Sequence, residues 1–132
     1  MTEGGTRALI PPGRERTAGA GYSPGVVVAN RRLVFVAGHT GQDDEGRPIA
    51  DPEAQFVSLF ERLRQVLAAA DGSFADVVDM TSYHVSFDTL EVFLKVKARY
   101  LTGPVQPAWT AIGVSALGIP GCLVEVKLTA AV

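Results

Sequence analysis

Two segments of the chain carry apolar residues at helical spacing. The first begins at Asp51-Pro52, where a capping carboxylate precedes proline at the first helical position, and ends near Asp71-Gly72. The second follows Asp88, a predicted N-cap, and runs to about Leu101. Each segment has one apolar stripe, formed by Phe56, Leu59, Phe60, Leu63, Val66, Leu67 and Ala70 in the first and by Val92, Phe93, Val96 and Tyr100 in the second. Both patterns predict amphipathic helices.

Runs of β-forming residues predict strands around these helices. Residues 26–28 and 33–37 flank a polar triplet, a pattern that predicts a hairpin. Later strands are expected over residues 77–85, 108–114 and 122–130. The opening segment has many Gly and Pro residues, so a short edge strand followed by a loop is expected there.

This order of elements predicts one α+β domain over residues 1–132. The two amphipathic helices are most simply buried against one face of one mixed sheet. The other face also needs cover, yet the sequence offers no third helix for it. We therefore expect a second copy of the chain to cover that face, which predicts a homo-oligomer.

Composition limits the class of partner. The 132 residues are 47% hydrophobic and 20% charged, with a formal net charge of -2, so one sizeable core is feasible and no basic field draws a polyanion. A small neutral or polar ligand is expected rather than nucleic acid. Residues 1–20 lack a signal-like apolar block and no apolar run is long enough to span a membrane, so we expect a soluble cytoplasmic protein without a membrane partner.

Motifs for common cofactors and metals are absent. The sequence has no phosphate-binding glycine pattern and no His-Glu-x-x-His, so we expect neither a cofactor nor a metal. His39 and His84 lie far apart, and the acidic stretch 42–48 is interpreted as a solvated turn because it lacks calcium-loop spacing. Cys122 is the only cysteine; it excludes an intrachain disulfide, favours a reducing compartment and is expected to be a small buried hydrophobe.

Glu125 is the most informative polar residue. It interrupts an apolar strand, and alternation places it on the face opposite Val124, Val126 and Leu128. An exposed carboxylate on a solvated face is one interpretation. The other is a carboxylate that lines a cleft, because burying it without a partner costs about 1–3 kcal/mol or more.

Four segments in order resemble the Rid family of YjgF-like proteins. They are Gly21-Tyr22-Ser23-Pro24-Gly25, the strand 33–38 ending in Ala-Gly, the segment 76–83 with its Asp-Val-Val and Thr-x-Tyr, and Val124-Glu125-Val126 with Ala130. The resemblance implies a chorismate-mutase-like α+β fold that forms a homotrimer, with ligand clefts between subunits. Family members include cofactor-independent deaminases of enamines and imines such as 2-aminoacrylate.

The main difference between this chain and those deaminases lies at Trp109. In them an arginine grips the substrate carboxylate and a last-strand glutamate helps to place the attacking water, and here Trp109 stands at the arginine's position. A guanidinium–carboxylate pair makes two charge-assisted hydrogen bonds worth about 1.5–3 kcal/mol each, whereas indole offers one neutral donor. Carboxylate capture is therefore expected to be largely lost. The pattern is more similar to the YjgH-type branch than to the deaminase branch.

The resemblance also implies a set of site residues. Glu125 and Lys97 are the predicted catalytic residues, with Lys97 at the place of a pocket asparagine. The predicted substrate-binding residues are Tyr22, Ala37, Gly38, His39, Trp109, Thr110 and Ala111. Ala37 stands for a pocket serine and Ala111 for a frequent cysteine.

Three of these residues have alternative interpretations. Trp109 is either packing or a ligand platform, and Tyr22 either caps a neighbour's pocket or covers a sheet edge. Lys97 either extends to water or lies in a desolvated cleft, where its pKa would fall and it would serve as a base or a carbonyl-reactive amine.

Three functional hypotheses follow. The first is a Rid-type enzyme that acts on a small imine, enamine or carbonyl-derived metabolite, with Glu125 placing water or a proton and Trp109 stacking on the substrate. The second is a trimer that binds a metabolite without turnover, since a fold does not establish a function. The third is a ribonuclease, against which the acidic charge and the missing basic stripe count.

Overall fold

The computed structural model describes residues 5–132, apart from the side chain of Ala18. The first four residues of the predicted opening segment therefore lie outside the described residues. The elements in chain order are β1 Gly5–Leu9, β2 Gly25–Ala29, β3 Leu33–His39, α1 Pro52–Ala69, β4 Val77–His84, α2 Leu90–Tyr100, β5 Ala108–Gly113 and β6 Val124–Ala131. Short 3-10 turns precede β2, β4 and α2.

Four strands form the main sheet, in the order β3-β6-β4-β5. The β4–β5 pair is parallel and the other two pairs are antiparallel, so the sheet is mixed as predicted. Both helices contribute residues to one core with the inner faces of β4 and β6. The prediction of an α+β fold with two helices on one sheet face is confirmed.

The predicted hairpin between residues 26–28 and 33–37 is wrong. β2 pairs along its whole length with β1, from Gly5–Ala29 to Leu9–Gly25, and forms a separate two-stranded sheet. β3 pairs instead with β6, and Arg32 exchanges backbone hydrogen bonds with Val132 beside that ladder. The local pattern predicted both strands, but pairing with more distant strands determines which neighbours they have.

Helix α1 follows its sequence signals closely. The Asp51 side chain accepts a hydrogen bond from the Ala54 backbone N–H at 2.9 Å, which satisfies one of the free donors of the first turn. The predicted stripe is buried at Phe56, Leu59, Phe60, Leu63 and Leu67, and half-buried at Val66 and Ala70. These side chains make α1 the larger of the two helical contributions to the core.

Helix α2 begins differently from the prediction. Asp88 is not its N-cap, because it lies in a 3-10 turn where its backbone N–H donates to Ser86 Oγ at 3.1 Å. Thr89 occupies the N-cap position without a side-chain hydrogen bond. Ser86 therefore provides the capping side chain in this segment, where the sequence predicted Asp88. Phe93 and Val96 are fully buried in the core.

Candidate functional site

Strand alternation divides the predicted site residues between the two faces of the sheet. Trp109 pairs with Met80 and faces the helices, where its ring lies 6.3 Å from that of Phe93. Glu125 pairs with Tyr83 on the outward register of β6, between the buried Val124 and Val126. Within one chain, therefore, the tryptophan and the glutamate lie on opposite faces.

Lys97 is the best-enclosed charged side chain of the predicted set. It is only 3% exposed, so the interpretation in which it extends to water is wrong. Its Nζ donates to the Gly21 carbonyl at 2.6 Å and lies 4.4 Å from the centre of the Trp109 ring. Burial lowers the pKa of Lys97 to about 8.

The loop before β2 is built to receive this amine. Gly21 has a positive φ of 82°, and a Cβ there would lie 3.3 Å from Lys97 Nζ, so glycine suits both the turn and the close approach. Ser23 fastens the loop to the segment before β5, since its N–H donates to the Pro107 carbonyl and its Oγ donates to the Gln106 carbonyl. Tyr22 is half-buried beside them.

A network of hydrogen bonds from β4 holds the Trp109 indole in place. Its Nε1 donates to Ser82 Oγ at 2.9 Å, and Ser82 Oγ shares a 2.8 Å hydrogen bond with His84 Nε2. Both β4 residues are 0% exposed, and His84 lies against Phe87 and Phe93. Burial lowers the pKa of His84, which favours the neutral ring. This network fixes the plane of the indole over which the Lys97 amine lies.

On the opposite face, the Glu125 carboxylate lies over Gly38. A Cβ built on Gly38 would overlap it, with the carboxylate Cδ at 2.8 Å, so the glycine makes room for the acid. Glu125 is half-buried, and within residues 5–132 no donor forms a hydrogen bond with its carboxylate. A shallow hollow of about 360 Å³ lies on the same side, lined partly by Phe35, Ala37 and Lys127.

Three other predicted residues do not join either group in one chain. His39 points toward α1 and lines a polar groove of about 460 Å³ with Ser58 and Arg62, and its Nδ1 donates to the Ala37 carbonyl at 2.7 Å. Thr110 and Ala111 are exposed on the edge strand β5, with register partners Thr81 and Ser82. The structure therefore brings together Lys97, Trp109 and the Tyr22 loop, and separately Glu125 and Gly38.

Sequence reasoning missed the Ser82–His84 support. The available signal was alternation, because both residues share the inner register of β4 with Met80, where a polar side chain needs a partner. Cys122 is buried, as expected, with its Sγ 3.9 Å from the Gly41 carbonyl. Within residues 5–132, no three His, Cys, Asp or Glu side chains converge as a metal site.

The acidic stretch after β3 forms the predicted turn. Asp43 accepts hydrogen bonds from the backbone N–H groups of Glu45 and Arg47, both at 2.9 Å, and its own N–H donates to the Arg47 carbonyl. The Asp43 carboxylate therefore stabilises its own turn. None of the helices within residues 5–132 combines the length and apolar character needed to cross a bilayer.

The fold and the placement of these side chains define a small α+β protein with a buried amine on one sheet face and a carboxylate on the other. The sequence profile of the endoribonuclease L-PSP family matches residues 13–132, so the chain belongs to that family. The RutC family protein YjgH of Escherichia coli is 33% identical over 124 residues, which cover 93% of this chain and 92% of that protein.

Solved structures agree with this assignment. The Rid-family protein YyfB of Yersinia pestis superposes with a TM-score of 0.86 at 27% identity, covering 96% of this chain and 98% of that one. A structure of YjgH gives a TM-score of 0.71 at 34% identity, covering 96% and 95%. The resemblance to the Rid family and to its YjgH-type branch is confirmed.

Proposed function

We propose that the chain is a small-molecule enzyme that carries out hydrolysis, or related water and proton transfer, on an imine, enamine or carbonyl-derived metabolite. The observation that carries this proposal is the division of two complementary half-sites between opposite faces of the sheet. An amine over an indole lies on one face, and on the other lies a carboxylate without a hydrogen-bond partner among residues 5–132. Since one chain cannot join them across its own sheet, the complete site is a cleft between copies, in a homotrimer.

The exposed surface supports assembly through the open face. Phe35 projects from β3 with 77% of its surface exposed, and Leu33 on the same side is 52% exposed. Apolar side chains of this size on a sheet face gain about 1.5–3 kcal/mol each when they become fully buried. Glu125 lies on this face, so a second copy seated here would bring new side chains to the carboxylate.

Each half-site has a separate role in the proposed chemistry. Glu125 accepts a proton from water, or positions that water, because its carboxylate has no hydrogen-bond donor from residues 5–132 to compete for it. Lys97 exchanges protons with the substrate, because burial lowers the pKa of its amine to about 8, and its position is fixed by Gly21 and the Trp109 ring. No cofactor is needed for such steps.

Trp109 sets the expected substrate range. Its indole N–H is already used by Ser82, so it does not replace an arginine as a carboxylate grip. Typical 2-aminoacrylate deamination is therefore expected to be weak or absent, and substrates without a carboxylate are favoured.

Two other functions fit the same fold. The first is metabolite binding without turnover, which would use the same cavities and leave Glu125 dispensable. The second, an endoribonuclease, is favoured by the name of the family, but the net charge of -2 offers no basic surface for a polyanion.

The test is Glu125→Gln, which keeps the side-chain shape and removes the charge and basicity. On neutral imines and enamines generated in solution, we expect a rate loss of about a hundredfold or more with the trimer intact by light scattering. Glu45→Gln, the same change at an exposed carboxylate in the turn after β3, is the matched control and is expected to retain activity. Unchanged turnover in Glu125→Gln would reject the catalytic role, and 2-aminoacrylate turnover equal to that of an arginine-bearing relative would reject the substrate assignment.

A further inference from the structure

The buried side chain of Lys97 lines a cavity of about 620 Å³. The lining combines the loop Gly19–Gly21 with one side of α2 and the residues that follow it: Leu94, Lys97, Ala98, Leu101 and Gln106. Most of this surface is apolar or backbone. Lys97 supplies the one formal charge among these lining residues.

Among the described residues, Lys97 also lacks the carboxylate partner that usually stabilises a buried lysine. Within residues 5–132 no carboxylate lies within ion-pair distance of its Nζ, whereas the neighbouring Lys95, 64% exposed at its side chain, contacts Glu53 at 3.2 Å. The groups that face Lys97 Nζ are the Gly21 carbonyl from the loop and the Trp109 ring from β5. The neutral amine keeps its hydrogen bond to Gly21 and frees a lone pair, because an uncharged NH₂ still has two donors.

We propose that Lys97 is a nucleophile that forms a covalent imine with a small, uncharged aldehyde or ketone bound in this cavity. The nitrogen lone pair attacks the carbonyl carbon, the C=O π bond breaks, and the oxygen takes the proton that the nitrogen gives up, which gives a neutral carbinolamine. Loss of water then forms the C=N bond, and hydrolysis reverses both steps. No oxidant or reductant takes part.

The cavity determines the class of carbonyl compound. Once the amine has become part of the imine, no other cation among these lining residues is available to balance a substrate carboxylate. Burying an unpaired carboxylate is costly, so a 2-oxo acid is disfavoured. The apolar walls from Leu94, Ala98 and Leu101 suit a short hydrocarbon tail. Gln106 also lines the cavity, and its side-chain nitrogen donates to the Leu101 carbonyl at 2.9 Å.

This inference rests on the proposed function, because it takes the cavity to be a substrate site. Its test does not depend on turnover. The intact protein is incubated with butanal and sodium cyanoborohydride, which delivers hydride to an imine and leaves a stable secondary amine. Peptide mapping by mass spectrometry then gives the butylation rate of each lysine. Pyruvate under the same conditions serves as the anionic comparison.

We expect Lys97 to be butylated about tenfold faster than Lys95 at pH 7.5, and pyruvate to label it far less than butanal. The Lys97 rate should level off above about pH 8, where its amine is already free, whereas an ordinary lysine gains free amine up to about pH 10. Lys97→Arg should remove the fast adduct and Lys95→Arg should keep it.

Labelling of Lys97 no faster than that of Lys95, or preference for pyruvate over butanal, would overturn the inference. The wild-type map needs no variant, so a misfolded substitution does not affect this result. Turnover of an imine without labelling would reject the nucleophile and retain the proposed function. Fast labelling without turnover of any carbonyl-derived substrate would reject the proposed function and retain the nucleophile.

Discussion

The two faces of the main sheet carry polar groups in opposite states. On the helix side, Ser82, His84 and Lys97 are almost completely buried, and each is held by fixed neighbours. On the open side, Glu125 is half-buried without a hydrogen-bond partner from the described residues, beside the strongly exposed Phe35. The helix side is therefore preorganised within one chain, while on the open side the carboxylate keeps free acceptor positions among the described residues.

This difference separates the expected effects of mutation. Changes on the helix side should alter the free energy of unfolding of a single chain, because the polar groups there are desolvated. Changes of similar size on the open side should alter assembly or turnover and leave that free energy nearly unchanged. The next three predictions test this separation, starting with the largest effect.

Ser82→Ala should give the largest loss of stability. It removes the acceptor of the Trp109 indole and the partner of His84 Nε2, and both groups lose their hydrogen bonds in a poorly hydrated region. We expect a loss of about 2 kcal/mol in the free energy of unfolding by urea titration. Thr81→Ala, one residue away on the outward register, is the matched control, with an expected change of about 0.5 kcal/mol. Equal effects would show that the two faces do not differ as described.

Lys97→Met should stabilise the fold. The substitution keeps a long side chain and removes an amine whose pKa burial holds down at about 8, so at neutral pH the folded chain no longer buries a charge. We expect a gain of about 1–2 kcal/mol at pH 7, after the loss of the Gly21 hydrogen bond and the ring contact offsets part of the benefit. Lys95→Met is the control and should bring no gain. A clear destabilisation by Lys97→Met would show that this lysine is structural.

The smallest effect concerns pH and His84. Burial lowers the pKa of His84 in the folded chain below its ordinary value of 6.5. As the pH falls below 6.5, the unfolded chain binds a proton that the folded chain does not. Stability is therefore full above that pH and is lost as the pH falls through the lowered folded value. Unfolding measured between pH 7 and pH 5 should show this slope, and the slope should be reduced in His84→Gln but not in His39→Gln.

Sequence predicted the elements of this fold better than their partners. The Asp51 cap, the stripe of α1 and the outward register of Glu125 depend on neighbouring residues and a fixed repeat, and the structure contains all three. The pairing of β2 with β1 depends on segments some twenty residues apart, and no local pattern encodes it. The local pattern therefore favoured a hairpin between neighbouring strands, and that prediction is wrong.

The candidate site shows the same limit. Glu125 was identified because it breaks an apolar strand, but the burial of Lys97 depends on the Gly21 loop lying over the end of α2, far away in sequence. Likewise, the face that Trp109 occupies follows from its parallel register with Met80. These tertiary contacts place Lys97 and Trp109 on the helix side of the sheet and leave Glu125 on the open side.

In the proposed assembly, the two half-sites meet only between copies of the chain. A crystal structure of the assembled protein tests it most directly. We expect a trimer in which the Glu125 carboxylate of one copy faces, across a cleft, the Lys97 and Trp109 side of its neighbour. A monomer, or an assembly in which Glu125 points into open solvent away from Lys97 and Trp109 of every copy, would contradict it.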